Sequence, residues 1–421
     1  MLEEFKKALY FPLASYFRFF ASLRLKRWKP IIVVVTGSNG KTTLLHLLES
    51  QIGTKAKYSH HANSSFGIPF DILDLHRNTL QTSEWVGLLF KTPWKVFTKI
   101  PQKKLYIVEA DADRIGEGLF LSQLLKPHIV LWVSTGTTHS MNFDLAVQKG
   151  EFDTAESAIA HEFGYFAEYA QKLVIIDGDS KLHLLQKPRT KAEIREVNKS
   201  QLKRYTIDKN GTHFTIGTKV YSFGALLPEE FYLSLGMCFE VCAYLQIPID
   251  DAFSKFEIPP GRGTLFAGKK DTVLIDSSYN GNRNSISVML SMLDKIAFSK
   301  KWVVLGDMLE LGKEERREHE LLATVLRQSD YERIVLVGKI SKKYMLPILQ
   351  KEKRAVFFDN PGDAYTFVEE NITGGEAILF KGSQSMYLEG IIEKLLSDKS
   401  DAEKLPRRGA HWESKRRNKG V

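Results

Sequence analysis

Cysteine is nearly absent from this chain of 421 residues. Only Cys238 and Cys242 occur, in an apolar stretch, so the sequence predicts neither a disulfide framework nor a four-ligand metal site. Long apolar runs are missing too, since no segment approaches the roughly 18 to 20 apolar residues that a spanning helix needs. No cleavage site of small residues follows an apolar run. These absences predict a cytoplasmic protein whose two thiols are packed in a core.

The basic charge is concentrated at the two ends of the chain. The formal net charge is +9, but much of the excess lies outside the central sequence, so we expect no nucleic acid partner. Residues 398–421 combine many Lys and Arg residues with little apolar content, which predicts a disordered basic tail. Such a tail either keeps the protein soluble or contacts an anionic surface.

Residues 1–30 mix aromatic and basic side chains in a helical pattern. Rings at headgroup level and cations beside anionic lipid suit a membrane interface, so residues 1–29 are candidates for peripheral contact with the inner face of the membrane. The alternative is that this helix packs on the domain that follows. The sequence does not decide between the two.

The central sequence alternates buried strands with helices. Residues 31–35 form a continuous apolar run, typical of a strand buried on both faces of a parallel sheet. The alternation predicts an α/β fold: a central P-loop ATPase domain with a mostly parallel sheet over residues 31–262, and a C-terminal Rossmann-like doubly wound domain over residues 263–397. Within the first domain, residues 201–225 predict a small antiparallel insert.

A phosphate-binding loop follows the first predicted strand and precedes a helix expected over residues 43–52. Such a loop needs glycines, so that backbone N–H groups can approach an anion, a lysine for the outer phosphates and a hydroxyl for Mg²⁺. The sequence supplies all three, which predicts ATP as a cofactor. The predicted nucleotide-binding residues are Gly37, Ser38, Asn39, Gly40, Lys41, Thr42 and Thr43.

The loop resembles that of the Mur ligases, which use ATP to join a carboxylate to an amine. Further matches follow in the family's order and imply that Asn63 and Ser64 contact substrate, and that Thr42, Glu109 and His139 bind Mg²⁺. The last two follow predicted strands at the edge where open α/β sheets bind ligands. Because Mg²⁺ prefers oxygen ligands, His139 is the less typical of these ligands.

The second half carries the most specific resemblance, to the branch of the family that adds D-alanyl-D-alanine to a UDP-N-acetylmuramoyl tripeptide. Residues 306–312 read Gly-Asp-Met-Leu-Glu-Leu-Gly, a run unlikely to arise by chance. The resemblance implies phosphate contact by Arg262, ribose contact by Asp276, base contact by Tyr279 and Asn280, a place at the reacting centre for Lys381, and substrate contact by Asp307 and Glu310. For the last two, strand-end and capping roles are the alternative.

The resemblance implies a two-step acylation that uses ATP and Mg²⁺, and we expect the protein to be a monomer. ATP phosphorylates a substrate carboxylate, and an amine then displaces phosphate to form an amide. The expected partners are a small-molecule or lipid-linked peptidoglycan precursor and a peptide amine. Positioning and cations would supply most of the catalysis, and the expected catalytic residues are Lys41, His139, Arg262 and Lys381.

Three features depart from the family's pattern. Residues 1–30 are too few for the UDP-sugar-binding domain that family members carry ahead of the loop, so we expect that domain to be lacking. No lysine lies in register with the carbamylated lysine of many members, and Lys149 is the nearest candidate. Residues 228–235 replace the family's motif near the adenine, so the base contacts are expected to differ.

Three hypotheses therefore stay open. The first is a ligase of the D-alanyl-D-alanine-adding type. The second is a related ligase with another substrate, such as a polyglutamate-forming or precursor-modifying enzyme. The third is a nucleotide-binding partner protein that has lost ligation, against which the presence of Lys41 and Glu109 counts.

Overall fold

A computed structural model describes residues 2–60, 62–77 and 82–417 of the chain. Helices and strands alternate through most of the first half. Its helices are α1 (Leu2–Trp28), α2 (Lys41–Ile52), α3 (Gly67–Leu73), α4 (Thr82–Lys95), α5 (Glu117–Leu125), α6 (Asp144–Gln148), α7 (Ala155–Glu168), α8 (Lys181–Gln186) and α9 (Phe231–Tyr244). Its strands are β1 (Ile31–Thr36), β2 (Ala56–Ser59), β3 (Leu105–Ala110), β4 (Ile129–Trp132), β5 (Leu173–Asp177), β6 (Glu193–Val197), β7 (Leu202–Asp208), β8 (Gly211–Ile216) and β9 (Lys219–Phe223).

The second half repeats the alternation. Its strands are β10 (Thr264–Ala267), β11 (Val273–Asp276), β12 (Lys300–Gly306), β13 (Arg333–Val337), β14 (Ala355–Phe358) and β15 (Glu376–Lys381). Its helices are α10 (Arg283–Lys295), α11 (Glu315–Gln328), α12 (Lys339–Leu349), α13 (Pro361–Asn371), α14 (Glu389–Leu395) and α15 (Ala410–Arg417).

The strands form three sheets. The first is parallel throughout, in the order β2-β3-β1-β4-β5-β6. The second has the order β10-β11-β15-β12-β13-β14, and its pairs are parallel except the first, β10 with β11. Strands β7, β8 and β9 make a small antiparallel sheet, as predicted for residues 201–225. The predicted α/β class, with a mostly parallel sheet in each half, is confirmed.

Strand β1 positions the phosphate loop. The strand is buried from its second residue onward and lies between β3 and β4. The register places Val35 beside Glu109 of β3 and Leu131 of β4. Because parallel strands end at the same edge of a sheet, the loop after β1 and the carboxylate of Glu109 share that edge, where α/β sheets bind ligands.

Helix α1 packs on the first domain through its aromatic face. Phe17 is fully buried, and Leu25 and Trp28 are nearly so. The Tyr16 hydroxyl donates to the carbonyl of Leu89 in α4 at 2.7 Å. The packing alternative for residues 1–30 is therefore the one that the structure shows. Within the described ranges, no helix is both long and apolar enough to cross a membrane.

The C-terminal segment is ordered where the sequence predicts disorder. Residues 399–404 form a short 3-10 helix, and α15 follows. Between them Arg407 is buried and pairs with Glu389, whose side chain is also buried. The prediction of a disordered tail is wrong for residues 399–417, because composition does not reveal that a basic residue has a buried carboxylate partner.

Candidate functional site

The phosphate loop adopts a conformation that requires its glycines. Gly37 has φ of 127° and Gly40 has φ of 85°, both in the left-handed region that favours glycine. A Cβ on Gly37 would lie 2.6 Å from the carbonyl oxygen of Ser134. That carbonyl accepts from Ser38 N at 2.9 Å, and the Ser134 hydroxyl accepts from Asn39 N at 2.8 Å. The loop therefore presents the start of α2, with its unpaired N–H groups, to an anion.

Gly37→Ala is expected to weaken ATP binding by about a hundredfold or more, because the added methyl group collides with backbone and shifts the loop. Titration calorimetry with ATP measures the loss. Gly87→Ala is the matched control, since a Cβ there meets nothing within 4 Å. Equal affinities of the two variants would contradict the assignment of the loop.

Lys41 is buried at the start of α2 and bonded to acceptors of the first domain. Its Nζ donates to the carbonyl of Gly37 and lies 3.0 Å from a carboxylate oxygen of Asp111. Burial lowers the pKa of Lys41, but the charges of Asp111 and Glu109 outweigh this and raise it above its usual value. The lysine is therefore a cation at the phosphate loop.

Asp111 is a site residue that the sequence reasoning missed. Besides its pairing with Lys41, it accepts from Nδ2 of Asn63 at 3.2 Å, and its N–H donates to the Asn63 carbonyl at 2.8 Å. These bonds bring the predicted residue Asn63 to the loop. Its position in the sequence could have identified it, because Asp111 comes two residues after Glu109, just past the end of the same strand.

Thr42 and Glu109 make an oxygen-rich pair beside the lysine. The Thr42 hydroxyl donates to Oε2 of Glu109 at 2.8 Å and accepts from Nη2 of Arg262 at 2.9 Å. A hydroxyl and a carboxylate are the oxygen ligands that Mg²⁺ prefers, so these residues fit the ion. No group of three His, Cys, Asp or Glu side chains among the described residues could hold a metal. A site shared with ATP phosphates and water suits Mg²⁺, which seldom has an all-protein cage.

His139 is occupied by a contact between the two domains. Its Nδ1 lies 2.5 Å from Oε2 of Glu310, and its Nε2 lies 3.8 Å from Asp113. Burial lowers the pKa of His139, but the hydrogen bond to Glu310 and the charge of Asp113 raise it to about 9. A protonated imidazole has no lone pair for a metal, so this arrangement does not favour His139 as a direct ligand.

Asp113 completes this network. Burial and the nearby charge of Asp111 raise the pKa of Asp113 to about 7. The sequence reasoning did not single out Asp113. Its position in the segment after β3 could have identified it. The network joins the second domain, through Glu310, to carboxylates beside Lys41.

The second domain reaches the phosphate loop at a second point. Nδ2 of Asn282 donates to Oδ1 of Asn39 at 2.9 Å and to the Thr138 hydroxyl at 2.7 Å. The loop that contains Glu310 also docks, because the Ser140 hydroxyl donates to the carbonyl of Leu311 at 3.0 Å. Both contacts hold the second domain over the loop.

Two buried ionisable residues of the second domain carry unusual pKa values. Burial and the charge of Arg262 lower the pKa of Lys381 to about 7. Its Nζ donates to the Asn280 carbonyl at 2.9 Å and the Ser277 hydroxyl at 3.2 Å. Burial raises the pKa of Asp276 to about 6. Oδ2 of Asp276 is buried and has no hydrogen-bond partner among the described residues, so it can accept from a ligand hydroxyl.

Arg262 lies between the Thr42 hydroxyl and the ring of Tyr279. Its guanidinium carbon is 4.5 Å from the ring centre. The Asn280 carboxamide accepts from the N–H of Gly281 at 2.8 Å, within its own turn. The ring therefore orients the arginine, while contact of Tyr279 and Asn280 with a base stays a prediction.

Two predicted residues serve local structure, and a third is exposed to solvent. The Asp307 carboxylate accepts from Ser341 N at 2.7 Å at the start of α12, so the capping alternative describes it. The Ser64 hydroxyl accepts from Gly67 N at 3.2 Å at the start of α3. Lys149, the nearest candidate for a carbamylated lysine, is exposed at the end of α6. Substrate contact by Asp307 and Ser64 stays a prediction.

Comparisons with known proteins point to one family. Residues 261–384 match the family described as "Mur ligase, glutamate ligase domain". The chain is similar to the UDP-N-acetylmuramoyl-tripeptide--D-alanyl-D-alanine ligase of Bacillus subtilis, with 26% identity over 87% of this chain and 76% of the relative. The enzyme of the same name from Borreliella burgdorferi is 23% identical over 86% of this chain and 73% of its own.

Solved structures share the fold. The crystal structure of MurF ligase from Thermotoga maritima in complex with ADP has a TM-score of 0.73 and 19% identity, and the match covers 93% of this chain and 84% of that one. A structure of MurF from Acinetobacter baumannii has a TM-score of 0.73 and 18% identity, over 92% and 80% of the two chains.

Proposed function

We propose that this chain is an ATP-dependent ligase of the Mur ligase family and that it adds D-alanyl-D-alanine to the carboxylate of a muramoyl-tripeptide precursor in peptidoglycan synthesis. The observation that carries the ligase chemistry is the junction of the two domains, where Arg262 reaches Thr42 of the phosphate loop. Similarity to enzymes of that name over most of the chain supports the substrates.

ATP binds at this junction. The N–H groups at the start of α2 and the Lys41 ammonium receive its phosphates, and Arg262, two residues before β10, contacts them from the side of the second sheet. Asp276, with its unpartnered oxygen, accepts from a ribose hydroxyl. Thr42 and Glu109 would hold Mg²⁺, which would neutralise phosphate charge when bound.

The chemistry proceeds in two balanced steps. A carboxylate oxygen of the precursor attacks the γ-phosphorus, and the bond to the bridging oxygen of ADP breaks. The amine of the dipeptide then attacks the acyl carbon, phosphate leaves, and the amine nitrogen loses a proton to form the amide. Lys41 and Arg262 stabilise the charge on the transferred group, and the docked second domain shields the acyl phosphate from water.

Incubation of the purified protein with ATP, Mg²⁺, muramoyl tripeptide and D-Ala-D-Ala tests this proposal. Phosphate release that requires both substrates, with the amide detected by mass spectrometry, is the expected result. A product formed only with another amino acid would replace the proposal with the related-ligase hypothesis. ATP binding without phosphate release for any pair would favour the non-catalytic partner protein.

We also propose that the protein works as a monomer, since one chain supplies both halves of the site. Its first domain supplies Lys41 and Glu109. The opposite side of the site is formed by Arg262 and Lys381. Light scattering coupled to size exclusion should give the mass of one chain, and full activity confined to a dimer fraction would contradict this.

ATP binding should take up a proton between pH 7 and 10. The pKa of Lys381 is about 7 in the free protein, below its usual value, and approaching phosphates favour the charged form. Affinity should therefore fall as pH rises above about 7. Calorimetry at pH 8 in buffers of different ionisation enthalpy measures the uptake, and Lys381→Met should remove it. Unchanged uptake in that variant would exclude Lys381 as the group that titrates.

A further inference from the structure

Helix α4 exposes a stripe of large apolar side chains. Phe90, Trp94 and Phe97 are 76%, 77% and 75% exposed, and Val86 is 56% exposed. Positions 86, 90 and 94 repeat every four residues, so they share one face of the helix. The chain makes a further turn after α4, in which the Phe97 N–H donates to the Trp94 carbonyl at 3.0 Å. This turn brings Phe97 next to the same face. We name these four residues the aromatic stripe.

The opposite face of α4 is fixed to the body of the first domain. Leu88 and Thr92 of α4 are buried, and the carbonyl of Leu89 accepts a hydrogen bond from Tyr16 of α1. The aromatic stripe is therefore the outward side of an ordered helix rather than a face that could turn inward. Exposed rings grouped in this way mark an interaction surface, whereas scattered exposed apolar residues do not.

Two arginines of α1 hold the end of the stripe in place. Arg24 is 3% exposed and donates to the Lys95 carbonyl, the Thr98 hydroxyl at 2.6 Å and the Lys99 carbonyl at 3.1 Å. Arg27 donates to the carbonyl of Val96. These bonds satisfy the carbonyl groups at the end of α4, so the turn that carries Trp94 and Phe97 is held in one conformation.

The charged residues in the segment that carries the stripe are mainly basic, and one of them, Lys95, pairs with Asp74 at 3.2 Å. Residues 84–104 contain a single acidic residue, Glu84, against five basic ones: Lys91, Lys95, Lys99, Lys103 and Lys104. Lys91, Lys99 and Lys104 are exposed. Tryptophan and phenylalanine bordered by lysine are the combination that binds the interface of a bilayer, where rings enter the headgroup region and cations meet anionic lipid.

We propose that the aromatic stripe and its lysines form a docking surface for a membrane rich in anionic lipid. The surface is distinct from the buried rings of α1, Phe17 and Trp28. Its rings would enter one leaflet only to headgroup depth, so the contact is peripheral and weakens as salt screens the lysines. The proposal does not depend on which amide the ligase forms.

Vesicle sedimentation with the full chain tests the proposal. The protein should sediment with vesicles of phosphatidylcholine mixed with phosphatidylglycerol at low salt, and remain in solution with phosphatidylcholine alone. Replacing Phe90, Trp94 and Phe97 with serine should lower vesicle affinity by about tenfold or more. Leu185→Ser is the matched control, because Leu185 is 72% exposed elsewhere on the first domain and should leave binding unchanged.

Two further readouts keep the result unambiguous. ATP hydrolysis or ligation with water-soluble substrates should be the same in the wild type, the triple variant and the control, which shows that all are folded. Absence of wild-type binding to the anionic vesicles would overturn the proposal. Dimers of the wild type that the triple variant abolishes, with vesicle binding unaffected, would also overturn it and identify the stripe as a protein interface.

Discussion

Lys41→Met is expected to lower kcat/KM by about a thousandfold or more under the conditions that support ligation. The ammonium is the cation at the start of α2, and removal of one preorganised group at a developing anion costs about that much. Phosphate release measured with saturating second substrate gives the ratio. Activity within tenfold of the wild type would mean that the loop does not hold the transferred phosphate.

The same substitution should also destabilise the protein. This effect on stability has to be measured separately from the loss of catalytic activity. The side chains of Lys41 and Asp111 are both largely buried, and their charged atoms lie 3.0 Å apart. Methionine at position 41 would leave the buried carboxylate of Asp111 without its cation, which costs about 3 kcal/mol of unfolding free energy. Adding Asp111→Asn should recover most of this stability without restoring turnover. Recovery of activity in the double variant would show that Lys41 matters only for folding.

Arg407→Met is expected to lower the unfolding free energy by about 3 kcal/mol, because it leaves the buried carboxylate of Glu389 without its cationic partner. Arg407 also donates to the carbonyls of Ser278 and Tyr279, at 3.0 and 2.9 Å, in the turn that follows Asp276. Loss of these bonds should loosen that turn and raise KM for ATP. Denaturant unfolding followed by fluorescence, with ATP kinetics, measures both effects.

The chain offers a matched control for Arg407 in the same segment. Lys404 pairs with Asp401 at 2.7 Å, but its side chain is 69% exposed, so Lys404→Ala should leave the unfolding free energy unchanged within measurement error. Equal effects of the two substitutions would show that the tail contributes nothing beyond solvated charge. That result would restore the prediction of a tail without structure.

The sequence predicted what local patterns determine. Apolar β-branched runs located the parallel strands, and the rule that ligands bind at the carboxyl edge of such sheets placed Glu109 beside the loop of Lys41. A strand and its loop lie within one short segment, so their geometry follows from that segment. The lysine and the threonine were found in this way, whereas the family resemblance singled out the glutamate and its place at a strand end agreed with that choice.

The sequence could not predict contacts between distant segments. The pairing of His139 with Glu310 depends on how the second domain docks, and the burial of Arg407 depends on Glu389 in another element. Residues 1–30 show the same limit, since their aromatic composition suits either a membrane or a core. Only packing reveals that α1 faces inward while Trp94 of α4 faces outward.

The most direct test of the central claim follows oxygen from the precursor to phosphate. The reacting carboxylate of the muramoyl tripeptide is labelled with oxygen-18 and incubated with the protein, ATP, Mg²⁺ and D-Ala-D-Ala. An acyl phosphate intermediate predicts that each inorganic phosphate carries one labelled oxygen, while the new amide keeps the other. Unlabelled phosphate, with the labelled oxygen that the carboxylate loses recovered in water, would contradict carboxylate activation by phosphoryl transfer.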